Sequence, residues 1–116
     1  MRGGKGADSM TGGSGNDTFV FESASNNGLD HLADFVSGTD RLSFKATDYG
    51  FSAGHTLAGG ELSLTGSPSG TNAQFVYDPS THTLYWDSNG STSGGATAIM
   101  VFDNFATPAT TDFMFT

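Results

Sequence analysis

The chain has 116 residues, no cysteine, and twelve acidic against four basic side chains, giving a formal charge of −8 at pH 7. Without thiols there are no disulfides and no thiolate zinc sites, and a basic complement of only Arg2, Lys5, Arg41 and Lys45 argues against nucleic acid or anionic membranes as partners. No stretch approaches the ~20 apolar residues of a membrane span, and the start lacks the basic-then-apolar run of a cleavable leader.

In chain order, the first predicted element is a repeat. Gly3-Gly4-Lys5-Gly6-Ala7-Asp8-Ser9-Met10-Thr11 runs directly into Gly12-Gly13-Ser14-Gly15-Asn16-Asp17-Thr18-Phe19-Val20. Both copies fit G-G-x-G-x-D-x-U-x, the nonapeptide of calcium-binding parallel β-rolls. Glycines let the backbone turn tightly through positive φ, which aims carbonyl oxygens at one point. The aspartate closing each turn adds a carboxylate, and an all-oxygen site suits a hard cation such as Ca2+. The candidate ligands are therefore Gly3, Lys5 and Asp8 in the first copy, and Gly12, Ser14 and Asp17 in the second. The last three positions of each copy form a short strand whose apolar side chain, Met10 or Phe19, points inward. A flexible Gly/Ser linker is the plain alternative, but it gives no reason for Gly, Asp and an apolar residue to recur in phase.

A degraded third copy follows at Ser25–Ala33, keeping Gly28, Asp30 and Leu32, with Asn26 standing where a glycine stood and Asn27 beside it. Successive turns lie on opposite edges of a roll, so Asp8 and Asp30 share one edge and Asp17 faces the other. Glu22 and Asp34 are further oxygen donors, with an ordinary solvated acid as the alternative for each. Residues 34–44 alternate apolar with polar as a half-buried strand leaving the roll. A polar stretch over 46–60, anchored by Tyr49, Phe51 and Leu57, leads to a short strand at 61–65 and a turn at 66–70. Ala73, Phe75 and Tyr77, the turn Asp78-Pro79-Ser80-Thr81, and Leu84-Tyr85-Trp86 make a hairpin. Asp87-Ser88-Asn89-Gly90-Ser91 is a second turn, Ala98–Phe102 is a central strand, and Asp112-Phe113-Met114-Phe115-Thr116 ends the chain. The fold class expected is all-β: a short parallel β-roll capped by a C-terminal antiparallel β-sandwich or sheet.

The nonapeptides, the phrase Gly15-Asn16-Asp17-Thr18-Phe19-Val20-Phe21, the following Asp34-Phe35-Val36-Ser37-Gly38 and the hairpin at 75–91 together resemble the C-terminal end of RTX (repeats-in-toxin) proteins. The ending Asp112-Phe113-Met114-Phe115 is similar to that of serralysin-type proteins. The resemblance implies a non-catalytic C-terminal module of a secreted, extracellular Gram-negative bacterial protein. It also implies calcium on Asp8 and Asp17, with Asp30 and Asp34 corresponding to the last aspartates before the roll exit. A type I (ABC transporter) exporter would be the partner, reading an uncleaved signal in Asp112, Phe113, Met114 and Phe115. Residues 3–34 would be calcium-binding repeats and roll exit, and 35–116 a capping β-region, in one domain over 1–116. Met1-Arg2 running straight into a repeat suggests a fragment of a longer protein.

Two other functions compete. An enzyme would need a catalytic constellation, and His31, His55 and His82 are scattered, with no H-E-x-x-H or G-x-S-x-G present. A carbohydrate-binding or surface-attachment module would use an exposed aromatic, for which Tyr85 and Trp86 are candidates on opposite sides of one strand.

Overall fold

The computed structural model describes residues 9–21, 29–57, 61–66, 73–87 and 96–116. Nine strands run through them: β1 (Ser9–Met10), β2 (Thr18–Phe21), β3 (Asp30–Leu32), β4 (Arg41–Phe44), β5 (Leu62–Ser63), β6 (Gln74–Asp78), β7 (Thr83–Asp87), β8 (Ala96–Phe102) and β9 (Phe113–Phe115). Short 3-10 turns stand at Ala46–Tyr49 and Thr110–Asp112. No α-helix occurs among the described residues, so the all-β class holds, and no described helix is long and apolar enough to cross a membrane.

The first four strands alternate between two sheets, β5 to β8 all join the first, and β9 returns to the second. One has six strands in the order β1-β3-β8-β7-β6-β5, the other three in the order β2-β4-β9. β1, β3 and β8 are parallel neighbours, as are β2, β4 and β9. The pairs β1–β2, β3–β4 and β8–β9 are thus three side-by-side coils, each placing one strand in each sheet.

The pattern at 34–44 predicts a strand that leaves the repeats for a separate cap. In the structure β4 instead stays parallel to β2, and the antiparallel strands β6 and β7 extend the first sheet beyond β8. Register explains why. Phe19 pairs with Leu42 and Leu42 with Phe113, while Phe21 pairs with Phe44 and Phe44 with Phe115. Those apolar side chains form two inward ladders that only parallel, in-phase coils can align. The hairpin turns between Asp78 and Thr83 as expected, with the Ser80 backbone N–H and hydroxyl both donating to Asp78 Oδ1 at 2.9 and 2.7 Å. Those two donors hold the Asp78 carboxyl below its ordinary range.

The core lies between the sheets and is aromatic at its centre. Met10, Leu32, Phe102, Leu84, Tyr77, Phe75 and Trp86 face it from the six-stranded sheet, and all are buried. Phe44, fully buried, has the rings of Phe21, Tyr49, Phe75, Phe113 and Phe115 within 5.1–5.9 Å. Phe44→Ala should therefore cost about 3–5 kcal/mol, the usual range for emptying a buried phenylalanine site. Equilibrium urea unfolding of the variant against the parent chain checks this.

Candidate metal centre

The turn joining β1 to β2 spans Thr11–Asp17, and its backbone needs glycine for two separate reasons. Gly13 and Gly15 sit at φ of 84° and 89°, a region that side chains resist. Gly12 is required by space: a Cβ there would lie 2.5 Å from Asp17 Oδ2. The Asp17 carboxylate therefore folds back over its own turn. Its Oδ2 is buried and accepts no hydrogen bond, an arrangement that costs free energy unless another positive group meets it.

Of the other candidate ligands, Ser14 is exposed on the same turn. Asp30 is fully buried in β3, in register with Met100. Asp34 follows β3 and turns its carboxylate to the first coil, where Oδ1 accepts from Gly12 N at 2.9 Å and Oδ2 from Gly13 N at 2.7 Å. Gly3, Lys5, Asp8 and Glu22 lie outside the described residues, as does most of the turn at 87–91. The structure thus brings Gly12, Ser14, Asp17 and Asp34 to one edge, while Asp30 stands at the start of β3. Among the described residues no three His, Asp or Glu side chains gather around one point.

Two aspartates that the repeat pattern does not mark share this edge. Asp40 is 2% exposed, and its Oδ1 accepts from Asp17 N and its Oδ2 from Val36 N, both at 2.9 Å. Asp112 is equally buried and accepts from Gly38 N at 2.8 Å, Ser37 Oγ at 2.6 Å and Ala109 N at 2.9 Å. Each carboxylate on a later coil thereby binds amides of the coil before it. Asn104 adds a bond in the same direction, its Nδ2 donating to Phe35 O at 2.9 Å. One signal was available in the sequence: Asp17, Asp40 and Asp112 each stand immediately before a strand of the second sheet.

The histidines are apart from this edge chemistry. His31 Nδ1 meets Asp103 Oδ1 at 2.8 Å across coils two and three, half exposed, and His55 Nε2 meets Glu61 Oε1 at 2.9 Å. His82 Nδ1 lies 3.0 Å from Tyr77 Oη, which donates to Ala106 O at 2.9 Å. Burial pushes the Tyr77 phenol above its ordinary pKa. Trp86 is only 6% exposed, packed on Tyr49, Phe51 and Phe75. That removes it as a sugar-stacking platform and leaves Tyr85 half-buried on the opposite side.

Residues 1–93 match the family model described as Peptidase M10 serralysin C terminal. No curated protein matches the chain.

Replacing Asp40 tests the edge directly. Asp40→Ala strands the Asp17 and Val36 amides, at about 1–3 kcal/mol for each buried donor left without an acceptor. Asp40→Asn, which keeps one carbonyl acceptor, should lose less, and urea unfolding of the two variants gives the comparison.

Proposed function

The chain belongs to the serralysin C-terminal family, and from that membership we propose that it is the non-catalytic, calcium-binding terminal module of a secreted protein. It folds as a parallel β-roll on reaching extracellular calcium, and its last residues serve as an uncleaved signal for a type I exporter. The alternation of β1–β4 between two parallel ladders supports the roll. The single observation that carries the calcium reading is the Asp17 carboxylate, with one oxygen buried and unbonded against Gly12 in a glycine-rich turn. That donor set fits a hard, oxygen-seeking cation.

In this reading Asp17 holds the ion with the carbonyls of Gly12 and Ser14, and Asp8 with those of Gly3 and Lys5. Asp30 and Asp34 complete the acidic set. Asp34 gives one lone pair of each oxygen to an amide and retains another. Bound calcium would supply the positive charge that offsets the carboxylates crowded along the turns. The protein's part is to hold those oxygens in place, which it does only when the coils are stacked, so binding and folding are linked. A ligand that binds only the folded state stabilises it by about 2.7 kcal/mol at a hundredfold excess over Kd. Extracellular calcium modules bind at about 10⁻⁴–10⁻³ M, leaving such sites empty in cytosol and filled outside.

Two experiments test this. Circular dichroism should show a disordered chain in EGTA and a β-rich one in millimolar calcium, and Asp17→Asn should raise the calcium midpoint by about ten-fold or more, as loss of even a supporting group does. A chain equally folded and equally stable in chelator would remove the calcium reading. For export, deletion of Asp112–Thr116 should abolish secretion of a passenger through a cognate ABC exporter, measured in culture supernatant. Undiminished secretion would remove the signal assignment.

A further inference from the structure

The C-terminal peptide is not a free tail. β9 pairs with β4 through Leu42–Phe113, Ser43–Met114 and Phe44–Phe115. Phe113 and Phe115 are 5% and 3% exposed. Beyond the strand, Thr116 N donates to Phe44 O and Ala46 N to Thr116 O, both at 3.0 Å. The chain leaving β4 then loops around β9. After the 3-10 turn at Ala46–Tyr49, Gly54 N donates to Phe115 O at 2.7 Å. The rings of Phe51 and His55, stacked on each other at 4.3 Å, lie 4.9 and 5.6 Å from the Phe115 ring. The loop is itself tied down, since Ala46 O accepts from Phe51 N and His55 reaches Glu61 just before β5.

We infer that residues 45–57 are a strap that closes over the C-terminal strand on folding and withdraws the last residues from any receptor that must bind them as a free peptide. This rests on the reading of those residues as an export signal and adds how that signal is switched off. A receptor that takes Phe113–Thr116 as an extended peptide needs their backbone groups and rings. In the folded chain β4 takes the backbone on one side, Gly54 takes Phe115 O, and the rings are buried between Phe44, Phe51, His55 and Phe75. Strap and signal therefore exclude each other. A chain that folds before export is no longer a substrate, and a chain that has folded outside cannot be recaptured.

The test needs no exporter. Carboxypeptidase Y and mass spectrometry follow the loss of Thr116 and Phe115 from the full chain. In calcium, trimming should be slower than in EGTA by at least about ten-fold, because cleavage follows the open population. Phe51→Ala/His55→Ala, and more mildly Glu61→Gln, should restore much of the trimming in calcium while the β-rich circular dichroism spectrum persists. Should those variants fail to fold, hydrogen exchange on the parent chain decides. The Gly54 and Thr116 amides should be protected together and exchange with one opening rate. Trimming of the β-rich parent chain as fast as that of the urea-unfolded chain overturns the strap, as does a Gly54 amide exchanging at free-loop rate beside a protected Thr116; equally slow trimming in calcium and chelator strikes the calcium reading alone. Folded strap variants trimmed at the parent rate overturn it too. A failed export assay with an intact lock would strike the signal assignment alone.

Discussion

Hydrogen bonds from turn amides to carboxylates on the next coil are the interaction on which this structure depends. A glycine-rich turn at the rim of a sheet points backbone N–H groups where no neighbouring strand supplies an acceptor, and a buried amide left unpaired is costly. Asp34 takes up Gly12 and Gly13, Asp40 takes up Asp17, and Asp112 takes up Gly38. Each bond is charge-assisted, which makes it stronger than an amide–carbonyl contact. Each also fixes the spacing of one coil on the next, so the phase of the strands behind it follows. With the turns held in phase, the phenylalanines of β2, β4 and β9 stack into the ladders that build the core.

The same edge gathers negative charge. Asp17, Asp34, Asp40 and Asp112 all lie along it in a chain that carries twelve acids and four bases. Three of the four give their oxygens to amides, whereas Asp17 keeps one buried oxygen uncommitted. Backbone dipoles and the proposed cation are therefore two answers to one electrostatic problem, used on adjacent coils. With no disulfide to help, the remaining stability comes from the aromatic interior, where Phe44 and Phe75 join the two sheets at a ring separation of 5.1 Å.

Local features were legible in the sequence and pairings were not. Alternation placed the hairpin of Phe75, Tyr77 and Leu84 and the central strand ending at Phe102, because period and turn chemistry are local. The nonapeptide marked Gly12 and Asp17, whose close approach the structure displays. That β8 and β9 form a third coil could not be read, since the partner of a strand depends on residues distant in the chain. The roles of Asp40 and Asp112 were not legible for a related reason: their place before a strand is local, but each accepts from an amide on another coil, and no single repeat contains both donor and acceptor. Trp86 and Tyr85 alternate in a way that says one faces inward, but only packing against Tyr49 and Phe51 shows that it is Trp86.

The return of β8 and β9 to the places beside β3 and β4 makes the intervening segment a topological detour. After Phe44 the chain adds β5, β6 and β7 to the far side of the first sheet, and β8 and β9 then take the places beside β3 and β4, as though coil three followed coil two directly. The detour also feeds the interior, through Leu57, Leu62, Phe75, Tyr77, Leu84 and Trp86. The closing coil is thus locked from two directions, by the strands it rejoins and by the hairpin laid down before it.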